Sequence, residues 1–368
     1  MSRRASSLVK FLDFYLGIPI IFFLGLFKKK QKKIPVEIKK IALLKTAALG
    51  DTTLLSAIIQ DLHKALPQAE ITLFAAKDNA VLAPFIPHLD KCIVLPVTNI
   101  FKSIFLLRKN LFDLFLDFGA WPRINAIFTF FAKAKMKIGF KTKGQYRHYI
   151  YDCAIPHNEK IHELENYRNI ISCLQISEKK FPKLLFSDLK PPKFLTGKKY
   201  IVFHMWGSGC NPKIIKEWSQ ESWKKLFIFL NKDFDICLTG SNADFSKNEA
   251  FKKSCFSPKN LHNVANIPFS ETLTILKNAQ LVISINTGIM HVAAAIGTPL
   301  ITLNGAVNIN RWGALGKNVQ NITSTVEDSQ YLNLGFEYKG HRKDCMQYLL
   351  PEDVITALQK FPAKLVQQ

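Results

Sequence analysis

Acid is in short supply in this chain. Over 368 residues, 28 Asp and Glu stand against 50 Lys and Arg, a formal charge of +22. An excess of that size fits nucleic acid, an anionic membrane face or phosphorylated substrates. The basic residues are dispersed and no recognised nucleic-acid-binding module occurs, which sets nucleic acid aside as a partner. Pattern is also missing among the seven cysteines, none of which stands at CxxC or CxxH spacing. That excludes a disulfide framework and a zinc site and fits reduced thiols in the cytoplasm. The first strand-to-helix turn, KTAALGD, lacks G-x-G-x-x-G, and no ribose-binding acid follows about 20 residues on, which disfavours a nicotinamide dehydrogenase. No short internal repeat is visible.

An apolar run of comfortable membrane-spanning length is lacking too. The longest apolar run, FLDFYLGIPIIFFLGLF (residues 11–27), is interrupted by Gly17, Pro19 and Gly25. As a helix it would reach about 25 Å, short of a hydrocarbon core of roughly 30 Å. Arg3, Arg4 and Lys10 precede it and KKKQKK follows it. No small-residue cleavage site follows, against a signal peptide, and basic flanks favour keeping both ends on the cytoplasmic side. The reading is an interfacial or re-entrant anchor on an anionic membrane surface, separable from the folded body, with a single span or a buried core helix as alternatives.

What is present is an alternation. KIALLK (40–45) reads as a strand and TLLSAIIQDLHKAL (53–66) as an amphipathic helix closed by Pro67; AEITLFAA, KCIVLPV and LFDLFLDF (111–118) read as further strands. Such β-α-β-α-β order calls for a parallel sheet with helices on both faces. Composition shifts to Lys, Pro and Ser around residues 178–199, and the pattern restarts with KYIVFHMW, SQESWKKLFIFL, FDICLTG, LVISIN (281–286), TGIMHVAAAIG, PLITLNG and a last helix, PEDVITALQKF. The expected fold is α/β: two Rossmann-like, doubly wound domains facing a central cleft, behind an N-terminal membrane-associated segment. The expected bounds are 1–36 for that segment, 37–180 for the first domain, 181–199 for the linker, 200–345 for the second domain and 346–368 for a C-terminal helix and tail.

Two places could meet phosphate. Strand 281–286 ends in Asn286, and Thr287-Gly288 turns into a helix bearing His291 and an alanine run; helix N-termini bind anions through free N–H groups and the dipole. The glycine-rich turn after KYIVFHMW, with Gly207, Ser208 and Gly209, is a second candidate loop. Lys216, before SQESWKKL, could neutralise a diphosphate as a point charge. The bland alternatives are an ordinary βα turn and a solvated lysine. Asp51 caps a helix start. His157 and His162 read as surface residues, and Trp218 and Trp223 as packing residues.

In order and spacing, ALGDTTL, LDFGAWPR, KIGF (137–140), HELENYRN (162–169), KEWSQESW, INTGIMHVAAAIGTPLITLNG, NRWG (310–313) and CMQYLLPEDV (345–354) resemble glycosyltransferase family 9, the ADP-heptose:lipopolysaccharide heptosyltransferases. The resemblance covers about residues 38–360. It implies a GT-B fold, an inverting reaction without metal or other cofactor, a nucleotide-sugar donor such as ADP-heptose, and a lipid-linked saccharide acceptor at the cytoplasmic face of the inner membrane. Carried over by position, Asp51 is the catalytic base and Lys216 stabilises the leaving diphosphate. Gly207, Ser208, Gly209, Asn286, Thr287, Gly288 and His291 hold the donor, and Gly50, Thr52 and Arg123 meet the acceptor. Many members have Asp where this chain has Asn286, and the polar residue common before the glycine of LDFG is absent. A family 9 enzyme moving a hexose or N-acetylhexosamine is one alternative, and a nucleic-acid-binding or non-catalytic scaffold protein, though disfavoured, is the alternative from a different class.

Overall fold

The computed structural model describes residues 11, 13–28, 33–186, 192–207, 215–332 and 344–361. The chain divides into two compact units, Met1–Lys183 and Leu184–Gln368.

In the first unit six strands form one sheet: β1 (Lys40–Lys45), β2 (Glu70–Ala75), β3 (Lys91–Val94), β4 (Phe112–Asp117), β5 (Ala134–Lys141) and β6 (Cys153–Pro156). Their spatial order is β3-β2-β1-β4-β5-β6 and every pairing is parallel. Parallel strands covered on both faces read as unbroken apolar runs, and Ile41 to Leu44 are wholly buried. Helix α1 (Gly17–Leu26) precedes the sheet; α2 (Leu49–Ala65), α3 (Ile100–Leu107), α4 (Arg123–Phe131) and α5 (Glu163–Ile171) follow its strands. Right-handed crossovers that reverse direction at β1 put α3 and α4 on the face opposite α2. Accordingly α5 packs on α2, and α3 and α1 pack on α4.

The second unit repeats the plan. Strands β7 (Tyr200–His204), β8 (Asp235–Leu238), β9 (Leu261–Asn263), β10 (Leu281–Ile285), β11 (Leu300–Asn304) and β12 (Val319–Thr323) form a parallel sheet ordered β12-β11-β10-β7-β8-β9. Its helices are α6 (Gln220–Leu230), α7 (Phe245–Ser254), α8 (Phe269–Asn278), α9 (Gly288–Ile296) and α10 (Pro351–Leu358). Helix α9 buries Ala293, Ala294 and Ala295, so small side chains let it lie close to the sheet, and Gly297 at φ +88° ends it. Val354 and Leu358 of α10 belong to the same core as Phe203, Trp223 and Ile283, so the last helix is part of this unit. In both units the strand order reverses beside the first strand, and ligands of open α/β sheets bind at that reversal, outside the carboxyl ends of the strands.

The N-terminal apolar segment packs on the body of the first unit. Ile21 and Leu24 of α1 pack with Ala126, Ile150 and Tyr151, and Gly17 meets the Arg123 side chain. Asp13 accepts the Arg123 backbone N–H at 2.9 Å and pairs with its guanidinium at 2.7 Å. One face of the segment is therefore core, and the other leaves Phe23 and Leu26 in solvent. Among the described residues no helix is long and apolar enough to cross a membrane.

Candidate functional site

In the first unit, chemistry gathers where β1 and β4 part. The helix begins at Leu49, four residues earlier than its apolar periodicity suggests, because Ala48 is a cap residue without a capping side chain. Asp51 is therefore not the cap but the third helical residue. Its Oδ2 accepts the Ala48 N–H at 3.2 Å, which meets a donor that the helix start leaves orphaned. Its Oδ1 lies 2.8 Å from Lys45 Nζ and accepts the Tyr167 hydroxyl at 2.9 Å. Lys45 also donates to the Phe118 carbonyl at 3.0 Å, and its side chain is 5% exposed against 22% for Asp51. Burial alone would push the carboxyl up; the Lys45 ammonium, the Tyr167 hydroxyl and the Ala48 N–H outweigh it and hold Asp51 below the ordinary carboxylate range. The result is a partly open carboxylate, fixed on one oxygen by two donors and ionised well into acid.

A buried network beneath supports the turns. Asp117, at the end of β4, accepts from the Tyr151 hydroxyl at 2.7 Å, from Arg147 and from the Gly119 N–H. Arg147 donates also to the Gly119 carbonyl, and Asn125 accepts from Thr46 Oγ1 at 2.8 Å. Any side chain at Gly119 would collide with Asn125, and one at Gly139 with the Tyr151 ring. Thus the glycines of LDFG and KIGF are spacing devices that let this network close.

Several expected acceptor contacts lie elsewhere. Thr52 is wholly buried; its hydroxyl donates to the Ala48 carbonyl and accepts from Asn79, so it braces the turn from inside. Gly50 is buried in the first turn of α2. Arg123 is not a surface arginine: it is 3% exposed and is bound by Asp13 and by the Gln145 and Gly144 carbonyls. His157 is not a surface residue either, since its side chain is 3% exposed with Nε2 3.0 Å from Glu163. His162 caps α5 by accepting the Leu164 N–H. Lys45 and Tyr167 carry no motif signal of their own within KIALLK and HELENYRN. The available signal was a lysine ending an apolar strand, since a buried lysine needs a partner.

In the second unit the corresponding turns follow β7 and β10. Gly207 donates its N–H to Glu217 at 3.1 Å, while Ser208 and Gly209 lie outside the described residues. Lys216 is half-buried, two residues before Trp218. Trp218 donates to the Leu349 carbonyl at 2.7 Å and packs edge-on against Trp223, so both tryptophans are core. Asn286 spends its NH2 on the Asn304 side chain at 2.7 Å and the Trp312 carbonyl at 3.2 Å, leaving its own carbonyl oxygen as an acceptor. Thr287 caps α9 with no side-chain bond to the helix, and its buried hydroxyl has no partner among the described residues. Gly288 opens the helix and His291 is buried one turn on. His204, ending β7, contacts Thr239 at 3.0 Å, and burial pushes its pKa down to about 4, so it is neutral near pH 7.

Two all-parallel sheets of this order, each with polar turns at its reversal point, make up a GT-B fold, which is an architecture and not yet an activity. The chain belongs to glycosyltransferase family 9 (heptosyltransferase), whose family model matches residues 100–335. It is 24% identical over 317 residues to the lipopolysaccharide core heptosyltransferase OpsX of Haemophilus influenzae, covering 81% of this chain and 87% of that one. It is also 24% identical over 343 residues to lipopolysaccharide heptosyltransferase 1 of Campylobacter coli, covering 82% and 99%. Among solved structures it resembles the ADP-heptose lipopolysaccharide heptosyltransferase II of E. coli, with TM-score 0.71 at 17% identity over 87% of this chain and 97% of that one. E. coli heptosyltransferase WaaC with ADP gives TM-score 0.68 at 16% identity, over 87% and 99%.

Proposed function

We propose that this protein transfers a heptose from ADP-heptose to the lipid A-linked inner core of lipopolysaccharide, with inversion and without metal, at the cytoplasmic face of the inner membrane. The observation that carries the reading is the Asp51 carboxylate at the reversal point of the first sheet, held by Lys45 and Tyr167. Both curated relatives are named for heptose transfer to lipopolysaccharide, and a solved neighbour holds ADP. An acceptor hydroxyl attacking the anomeric carbon opposite the leaving diphosphate must shed a proton, and Asp51 takes it. The low basicity of Asp51 is no obstacle. In an oxocarbenium-like reaction the attacking oxygen becomes strongly acidic as its bond to carbon forms, so a weak base suffices late on the path. Charge gathering on the leaving diphosphate is met by Lys216 and by the N–H groups of residues 287–289 at the start of α9. Asn286 offers its carbonyl oxygen to a sugar hydroxyl.

The test is release of nucleoside diphosphate from a panel of nucleotide sugars with truncated lipid acceptors. ADP-heptose should be the productive donor, and Asp51→Asn should lose roughly 10²–10⁴-fold in turnover while still binding ADP. Retention of more than about a tenth of the rate, well outside that range, removes Asp51 from catalysis. Preference for a hexose or N-acetylhexosamine donor removes the heptose.

A further inference from the structure

On the first unit, α3, α4 and α1 share one face of the sheet, with α4 packed against both neighbours. The outer side of this layer is apolar without covering. On α3, Phe101 is 87% and Phe105 64% exposed, one helical turn apart. On α1 and just beyond it Phe23, Leu26 and Phe27 are 61%, 80% and 63% exposed. Monomeric soluble proteins rarely leave apolar patches larger than a few hundred Å² in water.

The charge around this layer is predominantly basic, and the acid Asp13 is neutralised by Arg123. Residues 91–112 hold four Lys or Arg and no acid, and residues 118–151 hold seven and no acid. Lys102, Arg108, Lys109 and Lys133 are exposed at α3 and at the end of α4. A second copy of this chain docking here would set one basic face against another, and like charges facing each other are costly. An anionic bilayer meets both demands, because its surface attracts lysine and its interfacial zone accepts aromatic and aliphatic side chains.

We propose that α3 and α1 together, flanking α4, form a membrane-docking face by which the first unit lies on an anionic phospholipid surface. The proposal deepens the reading of an enzyme acting at a membrane and rests on it. Its new element is α3, which is about 75 residues along the chain from the N-terminal apolar segment. Two separated helices on one face fix an orientation, which a single anchor on a flexible arm would not.

The test uses the full chain and sedimentation with vesicles of phosphatidylcholine alone or mixed with phosphatidylglycerol. The α3 variant Phe101→Ser with Phe105→Ser should bind both vesicle types about tenfold more weakly or worse. Lys102→Gln with Lys109→Gln should weaken binding to the anionic vesicles by roughly 30-fold, at about one kilocalorie per lysine, and spare the neutral ones. All four side chains are exposed, so melting temperatures should hold, and any variant that melts early is replaced by Phe101→Ser alone. Vesicle binding by both α3 variants equal to that of the unaltered chain overturns the proposal. So does absence of vesicle binding by the unaltered chain, or a dimer in sedimentation velocity that Phe101→Ser with Phe105→Ser dissociates. Binding needs no sugar, so a chain that docks as expected yet turns over no nucleotide sugar keeps this face and loses the transferase reading.

Discussion

Asp51 depends on residues that periodicity and motif counting pass over. Lys45 reads as one more lysine among the 50 basic residues, yet it is buried because β1 carries it to the carboxyl edge of the sheet, where Asp51 and the Phe118 carbonyl satisfy it. Tyr167 lies 116 residues from Asp51, a pairing that no local pattern can show. Lys45 helps set the ionisation of Asp51, the proposed base. A base must be ionised, so a lowered pKa lets activity persist as pH falls through the ordinary Asp value of 3.8. Replacing Lys45 by Gln removes the largest opposing charge and leaves burial in command, so the carboxyl pKa rises and the acid limb of kcat/KM moves to higher pH. Tyr167→Phe should move it in the same direction and less, since one of several donors is lost. An acid limb that stays put in Lys45→Gln would show that the titrating base is another group. Asp51→Asn also strips Lys45 of its counter-charge, so its melting temperature should fall together with its rate.

At the scale of elements, most strands were legible because parallel strands covered on both faces are apolar runs, as IALL and LVISI are. Helix starts were less so. The start of α2 was missed because Ala48 gives no capping signal, and the fixed position of α1 was missed because Asp13 and Arg123 pair across 110 residues. Expected to be separable, α1 instead divides its side chains between two environments, and substitution separates them. Ile21→Ala opens space against Ala126 and Tyr151 and should cost about 2–5 kcal/mol, read as loss of denaturant resistance. Phe23→Ala, on the outer side, should change stability by no more than about 0.5 kcal/mol. The reverse ranking would mean that the packed face of α1 has been misassigned. Removing the whole segment takes away both buried side chains and the carboxylate of Arg123, so the truncated chain should be less stable than the full one.

At the scale of the molecule, the absence of any short repeat hid a repeated plan: both sheets carry the same strand order, and both place polar turns where that order reverses. A plan shared in strand order need not show as a repeat of side chains. It also divides the proposed labour: Asp51, the proposed proton acceptor, belongs to the first unit, and Lys216 and the start of α9, the proposed diphosphate groups, to the second. That division can be read without turnover. A ligand that binds only the folded state raises stability by mass action, about 2.7 kcal/mol at a hundredfold excess over Kd. ADP should therefore raise the melting temperature of the unaltered chain, and raise that of Asp51→Asn by a similar increment, because no donor contact is lost. With Lys216→Ala the increment should shrink or vanish at the same ADP concentration, because a cation facing the diphosphate is gone. Chelators should leave the increment in the unaltered chain intact if, as proposed, Lys216 and the α9 N-terminus supply the positive field. An equal ADP-induced shift in Lys216→Ala would remove that lysine from the donor site, and a shift that disappears with chelator and returns with divalent cation would overturn the metal-free reading.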